Sequence, residues 1–373
     1  MSGIYIHIPF CKQACHYCDF HFSTSLKHKD ALIQTILQEI KQREKNWKTH
    51  RFESIYFGGG TPSILNVKEL ESILQAIYNH FHISDNVEIT LEGNPDDLSI
   101  DKLTQFKTLG INRLSIGIQS FFEEDLAKLN RSHHANQATE AIKNAQKAGF
   151  NNITIDLIYG IPELTDTKWE QNIQTVLQYN IPHISAYALT IEPKTALAWQ
   201  IKNGKYPPVS EEQAARQFDI LRKKLAEHNY IQYEISNFGK ENFFSRHNTS
   251  YWQNKAYLGL GPAAHSYNGQ QRRWNIANNI KYIKEMGTGK YFEVERLTKN
   301  DIYNEIIMTG LRTIWGVDLN RIEALGSNYM EQLKNTTKSY LRNNQLILED
   351  HFLKAHPDSL FLIEGIISDL FIV

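Results

Sequence analysis

Three cysteines lie close together near the start of this 373-residue chain, at Cys11, Cys15 and Cys18. The sequence contains no other cysteine, so a framework of disulfide bonds is excluded. Thiolates are the ligands of iron–sulfur clusters. Three of them on one short loop can hold three corners of a cubane and leave the fourth iron open to a small ligand. The spacing therefore predicts a 4Fe–4S cluster with one open iron.

A structural zinc site is the alternative interpretation of the same cysteines. His16 or His21 would then supply the fourth ligand. Structural zinc sites usually consist of two ligand pairs separated by a longer loop, whereas these cysteines form one compact set. The pattern favours the cluster and leaves zinc as the second hypothesis.

A further segment that could bind a ligand follows the second predicted strand. The segment Gly58-Gly59-Gly60-Thr61-Pro62 is rich in glycine, which allows a backbone to approach a ligand closely, although it would also suit a tight turn after a strand.

The elements that position these residues alternate in a regular way. Short runs of β-branched and aromatic residues alternate with helical patterns, which indicates βα units and a parallel sheet. Six such units predict an α/β fold with a partial, TIM-like (β/α)6 barrel, whose chemistry lies at the carboxyl ends of its strands. The predicted strands are Ile4–Ile8, Ser54–Phe57, Val87–Leu91, Arg113–Ile118, Asn152–Leu157 and His183–Leu189.

The rest of the chain follows a different pattern. A Gly- and Pro-containing stretch at 203–208 interrupts the alternation, and Ser210 with Gln213 is typical of the start of a new helix. We expect the barrel core to span residues 1–230. Residues 231–295 lack a clear period and predict an extended cap with few strands. Residues 296–373 predict three helices and a hairpin, a small winged-helix-like domain that serves as scaffold.

The overall charge restricts the partners of the protein. Its formal net charge is −1, with 40 basic and 41 acidic residues, so no basic field attracts nucleic acid. The sequence shows neither a secretory leader nor an apolar run long enough to span a bilayer, and we therefore expect a cytoplasmic protein whose membrane association, if any, is transient.

The three-cysteine spacing and the glycine-rich segment resemble those of the radical-SAM superfamily. Within it, the chain resembles the branch that contains the oxygen-independent coproporphyrinogen III oxidases, over nearly its whole length. This resemblance implies S-adenosylmethionine (SAM) as a second cofactor, bound at the open iron. The matching segments are 5–11, 92–95, 113–121, 156–162 and 233–238.

The resemblance also implies which residues contact SAM. These are Tyr5, Tyr17, Gly59, Gly60, Thr61, Glu92, Gln119, Arg131 and Asp156. Glu92, Gln119 and Asp156 each stand at or just after the end of a predicted strand, which agrees with this assignment. Carboxylates in such positions suit hydroxyl donors such as those of a ribose, and Arg131 could meet a carboxylate. Tyr5 has a second interpretation as a residue of the hydrophobic core.

Two departures separate this chain from the oxidases within that branch. The oxidases carry a fourth cysteine two residues after the third, where this chain has Phe20. They also carry an N-terminal extension, whereas Cys11 lies near the start of this sequence. Both features are similar to the HemW-type heme chaperones. That resemblance implies a protein that binds heme and passes it to respiratory heme proteins, with the cluster and SAM supporting the transfer. An oxidase of coproporphyrinogen is the alternative, and no catalytic residue is predicted.

The segment from His247 to Trp252 resembles the heme-binding segment of those chaperones. Imidazole is a common axial ligand of heme, so His247 is the predicted ligand and His265 the second choice. Aromatic side chains offer flat apolar area to a porphyrin. The predicted heme residues are His247, Asn248, Tyr251 and Trp252, and the arginines that could pair with propionates are Arg246, Arg272 and Arg273.

Overall fold

The computed structural model describes residues 2–372. Six parallel strands, ordered along the sheet as they are along the chain, form the centre of the molecule. They are β1 (Ser2–Ile8), β2 (Arg51–Gly59), β3 (His82–Gly93), β4 (Arg113–Gln119), β5 (Ile153–Tyr159) and β6 (His183–Ala188). All six strands predicted from the sequence are confirmed. Since β1 does not pair with β6, the barrel is open.

Helices follow the strands as the βα pattern predicts. The helices are α1 (Lys29–Trp47), α2 (Val67–His80), α3 (Ile100–Thr108), α4 (Glu123–Leu129), α5 (Ala135–Lys147), α6 (Asp166–Gln178), α7 (Ala196–Lys202) and α8 (Glu211–Glu227). The Asn66 side chain caps α2 by accepting from the backbone N–H of Glu69, and Ser210 does the same for α8 with Gln213. Gly110 and Gly149, both with positive φ, follow the ends of α3 and α5.

The region after the barrel is rich in strands, so the prediction of a strand-poor cap was wrong. The region contains β7 (Ile231–Gln232), β8 (Asn237–Gly239), α9 (Arg246–Trp252), β9 (Tyr257–Leu260), β10 (His265–Tyr267), β11 (Gln271–Asn275), α10 (Asn279–Glu285) and β12 (Phe292–Arg296). These strands extend both edges of the barrel sheet and give one sheet of 12 strands, in the order β12-β11-β10-β9-β1-β2-β3-β4-β5-β6-β8-β7.

This extension is continuous with the barrel in both backbone pairing and packing. Strand β9 pairs in parallel with β1, in a register that sets Gly3 opposite Tyr257. Leu258, Leu260 and Tyr282 belong to the same hydrophobic core as the barrel strands. The predicted division between residues 230 and 231 therefore falls inside a region that shares one sheet and one core.

The C-terminal segment has a hydrophobic core of its own, built around Tyr303, Ile307 and Leu333. Three helices and a hairpin are present as predicted, and a last helix follows that the sequence pattern did not indicate. The elements are α11 (Lys299–Leu311), β13 (Val317–Asp318), α12 (Leu319–Leu325), α13 (Ser327–Arg342), β14 (Leu346–Glu349), β15 (Phe352–Ala355) and α14 (Ile363–Leu370). Among residues 2–372, no helix is long and apolar enough to cross a membrane.

Candidate functional site

A cavity of about 590 Å³ opens at the carboxyl ends of the barrel strands. Parallel strands bring their carboxyl ends to one rim, so residues distant in sequence meet there. The structure places every residue that was predicted to bind the cluster or SAM on the wall of this first cavity. These residues are Tyr5, Cys11, Cys15, Tyr17, Cys18, Gly59, Gly60, Thr61, Glu92, Gln119, Arg131 and Asp156.

The cysteine loop follows β1 and is held in place by backbone hydrogen bonds. The N–H of Cys11 donates to the carbonyl of Ser23 at 3.1 Å, and the N–H of Cys18 donates to the carbonyl of Cys15 at 3.3 Å. The Thr61 hydroxyl lies 3.6 Å from the Cys11 sulfur. Among residues 2–372, no three His, Cys, Asp or Glu side chains are arranged to hold a single metal ion. The thiols of Cys11, Cys15 and Cys18 line one cavity, and three thiols are a donor set that suits the corners of a larger iron–sulfur cubane.

Burial affects the ionisation of these thiols. It raises the pKa of Cys11, and it raises the pKa of Cys18 to about 11. A thiol must lose its proton to bind iron, and a coordinated metal provides the positive charge that removes it.

The glycines at the end of β2 pack closely against β1 and the cysteine loop. A Cβ on Gly60 would lie 2.6 Å from the backbone oxygen of Phe10 and 3.0 Å from the Cys11 sulfur. Gly59 has a φ of 114°, and a Cβ there would lie 2.6 Å from the ring of His7. Because these residues have no side chains, β1 and the cysteine loop can lie close to the end of β2. The packing of the protein therefore requires glycine here, whether or not a ligand also approaches this backbone.

Arg131 connects the cysteine loop to the wall of the barrel. Its Nη1 donates to the Cys15 sulfur at 3.2 Å and to the Tyr17 hydroxyl at 3.4 Å. Its Nη2 donates to the carbonyl of Gly117 at 2.8 Å and to the side chain of Asn94. The buried Nε has no hydrogen-bond partner in the described part of the chain. The guanidinium is therefore fixed beside a thiol, with one donor unused.

Two carboxyl groups lie deeper in the barrel. Burial raises the pKa of Glu92 to about 7, and the charge of Asp156 adds to this shift. Burial raises the pKa of Asp156 to about 7 as well. Glu92 accepts from the Tyr56 hydroxyl at 2.8 Å and from the Gly59 N–H at 3.2 Å, and Asp156 accepts from Ser115 at 3.2 Å. Both carboxyls retain free acceptor positions toward the cavity.

A second cavity of about 680 Å³ lies beside the first, between the strands β9 to β11 and α11. Several residues line both cavities, so the two spaces are adjacent. The shared residues are Tyr5, Phe20, Gly59, Glu92, Asn248 and Tyr251. Phe20, which stands where the oxidases have a fourth cysteine, is 69% exposed at this junction.

The predicted heme segment forms helix α9, and its residues separate into two groups. Asn248, Tyr251 and Trp252 line the second cavity. The buried indole N–H of Trp252 has no hydrogen-bond partner among residues 2–372. His247, in contrast, lines only the first cavity of the two, and it is 2% exposed.

Both ring nitrogens of His247 are engaged in hydrogen bonds, whereas its predicted role as an axial ligand requires a free nitrogen. Nδ1 lies 2.8 Å from the Ser54 hydroxyl, and Nε2 lies 2.8 Å from the Tyr251 hydroxyl. The ring also stacks on Tyr56, with 5.0 Å between centroids. Binding iron through either nitrogen would break a buried hydrogen bond, so His247 acts in this structure as part of the wall between the cavities.

The other predicted candidates around heme are distributed as follows. His265 lines the second cavity and is exposed. Of the three arginines, only Arg272 lines it. Arg246 donates to the carbonyl of Asn86 at 2.7 Å, and Arg273 packs over the ring of Phe292 at 3.4 Å.

Some wall residues were missed by the sequence analysis. Tyr56, Arg113 and Ser115 line the first cavity, and Tyr257 and Met308 line the second. The first three stand on predicted barrel strands, where alternation of side chains across a strand was the available signal. The other two depend on the unpredicted sheet extension and on the packing of α11.

Comparison with known proteins identifies the family. Residues 5–176 match the model of the Radical SAM superfamily, which implies a 4Fe–4S cluster and SAM as cofactors, and residues 297–362 match the HemN C-terminal domain. The residues of the first cavity fit this pair, since they provide three thiols, a partly unpaired guanidinium and two carboxyls. Such a cofactor pair supplies radical chemistry.

Curated relatives and a solved structure give the closer assignment. The heme chaperone HemW of Lactococcus lactis is 33% identical over 350 residues, covering 94% of this chain and 91% of that protein. The heme chaperone HemW of Bacillus subtilis is 35% identical over 326 residues, covering 86% of each. Coproporphyrinogen III oxidase (HemN) of Escherichia coli shares the fold, with a TM-score of 0.85 at 22% identity, over 99% of this chain and 90% of that one. The chain belongs to the HemW heme chaperone family of the radical SAM superfamily.

Proposed function

We propose that this protein carries heme in the second cavity and delivers it to heme-accepting respiratory proteins. The cluster and SAM occupy the first cavity. The observation that carries the proposal is the wall common to both cavities, since a heme in the second would lie beside the cofactors in the first. The relatives that are named heme chaperones support the same function.

The second cavity has the chemistry that a heme requires. A porphyrin is large, flat and apolar, with two carboxylates at one edge, so its site needs apolar walls, a ligand nitrogen and a cationic group. Tyr251, Trp252 and Met308 supply apolar surface. His265 supplies the ligand nitrogen and Arg272 the cationic group. Tyr5, Glu92 and Tyr251 form part of the wall through which the state of one cavity would affect the other.

The alternative function is oxidation of coproporphyrinogen III. The exposed side chain of Phe20 lies at the junction of the cavities, at the position where the oxidases carry a fourth cysteine. We therefore expect no conversion of coproporphyrinogen III beyond a single turnover.

The experiment starts from anaerobically reconstituted protein with its cluster loaded. Hemin is titrated in the presence and absence of SAM, and the loaded protein is then mixed with an apo b-type cytochrome. We expect saturable heme binding and movement of the Soret band to the acceptor. Coproporphyrinogen III is incubated separately with reductant and SAM. Absence of heme binding, or sustained formation of the two-vinyl product, would reject the chaperone function.

A further inference from the structure

We propose that His265 is the axial ligand of the heme iron and that Arg272 binds a heme propionate. This proposal rests on the proposed function, because it specifies how heme is held in the second cavity. It differs from the expectation based on the sequence, in which His247 was the ligand. The argument depends on which side chains face this cavity and which of them are already engaged.

The register of the sheet extension places His265 and Arg272 on one face. Strands β10 and β11 are antiparallel, with His265 opposite Trp274 and Tyr267 opposite Arg272. Because side chains alternate along a strand, these four share a face, and Arg273 points to the other. His265, Tyr267 and Arg272 accordingly line the second cavity.

The separation between the two side chains suits the two ends of a heme. His265 and Arg272 are diagonal neighbours across the strand pair, which places their Cα atoms about 7–8 Å apart. The propionates of a heme extend from the ring edge, some distance from the central iron. An imidazole and a guanidinium at diagonal positions can therefore contact the iron and a propionate of one molecule.

His265 is available to bind a metal. Its side chain is exposed, its ring stacks on Trp274, and its nitrogens make no hydrogen bond with any of residues 2–372. The cavity wall partly desolvates the ring, and this, followed by the charge of Arg272, lowers its pKa. The neutral imidazole that ligates iron is thus favoured at neutral pH.

His247 has none of these properties. Its nitrogens are bonded to Ser54 and Tyr251, and it does not line the second cavity. To reach a heme there, the ring would have to leave its place and break both bonds. Tyr251 itself lines the second cavity, so His247 positions a wall residue rather than touching the heme.

Arg272 is held by an acidic residue that a propionate can replace. Its Nη2 lies 2.5 Å from the Oε1 of Glu305, on α11, and its side chain is 37% exposed. Burial raises the pKa of Glu305, which indicates that its charge is poorly solvated. A propionate would compete with this carboxylate for the same guanidinium.

The test is hemin titration of the full-length, cluster-loaded protein, followed by difference absorption and magnetic circular dichroism. We expect His265→Ala to change the Soret band and to weaken hemin binding at least tenfold, with the band restored by free imidazole. His247→Gln should retain the wild-type heme spectrum. Unaltered cluster content and an unaltered far-ultraviolet circular dichroism spectrum in both variants would exclude a general failure to fold.

Two further variants test the propionate contact. Arg272→Gln should weaken hemin binding severalfold, and Glu305→Gln should strengthen it because the competing carboxylate is gone. Arg246→Gln is the matched control, since Arg246 does not line the cavity. Wild-type affinity in Arg272→Gln would reject this contact.

The outcomes separate the two proposals. A wild-type protein that binds no hemin would reject the proposed function itself. A wild-type protein that binds hemin, with a His265→Ala variant of unchanged spectrum and affinity, would reject only the ligand assignment. Loss of the band in His247→Gln, with retention in His265→Ala, would return the axial role to His247.

Discussion

The guanidinium of Arg131 and the sulfur of Cys15 are hydrogen-bonded at 3.2 Å inside the barrel. The positive charge is fixed there by three further contacts, to Tyr17, Asn94 and Gly117. A buried cation beside a cluster ligand stabilises the more negative, reduced state of the cluster. On this arrangement Arg131, which was predicted as a SAM contact, would also influence the potential of the cluster.

We therefore expect Arg131→Gln to lower the midpoint potential of the cluster. A unit charge about 5 Å away at an effective dielectric constant of about 20 predicts a shift on the order of 100 mV. A redox titration followed by electron paramagnetic resonance measures it without any turnover. Arg216→Gln, which removes an exposed arginine of α8, is the control and should leave the potential unchanged. Equal potentials in wild type and Arg131→Gln would contradict the electrostatic role.

The second prediction concerns the ligands of the cluster. Replacing Cys11, Cys15 or Cys18 by alanine should abolish its visible absorption, because the chain has no other thiol to take the vacant corner. Iron and sulfide analysis after anaerobic reconstitution is the measurement. His16→Ala is the matched control. The His16 ring lies 2.9 Å from the carbonyl of Lys128, so we expect this variant to retain its iron. Loss of metal in His16→Ala would instead support His16 as a fourth protein ligand.

The third prediction is a pH dependence of SAM binding. Glu92 and Asp156 both have a pKa of about 7 because of burial, so they gain charge as the pH rises through neutrality. An ionised carboxylate accepts stronger hydrogen bonds than a neutral one. We expect the affinity for SAM to increase roughly tenfold between pH 6 and pH 8. Isothermal titration at three pH values measures the change.

The same titration on Asp156→Asn gives the internal comparison for that prediction. The substitution removes a charge that raises the pKa of Glu92, so the rise in affinity should begin at lower pH. Glu92→Gln should weaken binding at pH 8 and flatten the profile. An identical profile in all three proteins would show that these carboxyls do not contact SAM.

The fourth prediction concerns the stability that His247 provides. His247→Ala removes two buried hydrogen bonds and leaves a cavity, and should cost about 2–4 kcal/mol of unfolding free energy. Ser54→Ala removes one of those bonds and should cost about 1 kcal/mol. Because both variants break the same bond, the double variant should cost less than the sum. Urea denaturation measures all three, and strict additivity would contradict the contact.

Acid pH provides a further check on His247. Burial, followed by the charge of Arg113, lowers its pKa to about 3. The unfolded chain therefore binds a proton there between about pH 6.5 and pH 3 while the folded chain does not. The contribution of this group to stability is complete above about pH 6.5 and declines as the pH falls. His247→Gln should lose this part of the acid sensitivity.

The barrel could be predicted from the sequence because its pattern is long and regular. Each strand, such as Arg113–Gln119, contains a run of largely buried residues, and helices follow the strands along the chain. The sheet extension could not be predicted in this way. Its strands have two to five residues, and β11 consists mainly of polar and aromatic residues. Such strands exist because β1 and β6 offer them an edge, and that is a property of the tertiary fold.

The candidate site residues differ in the same way in how far the sequence predicts them. The residues of the first cavity meet because strand ends converge, so the position of Glu92 or Asp156 at a strand end agrees with the SAM contacts that the family resemblance implied. The position of His247 in a motif gave no information on the direction of its ring. Its engagement with Ser54 follows from the packing of α9 against β2, which no local pattern indicates.

The pairing of β1 with β9 also has a consequence for synthesis of the chain. Strand β1 is translated before β2 to β6, yet one of its two neighbours, Tyr257–Leu260, is translated only after the whole barrel. Until β9 is made, β1 has an unpaired, apolar edge that can pair with another chain. We expect truncation at residue 230 to make this state permanent. We also expect the late translation of β9 to set how long the growing polypeptide is prone to aggregation.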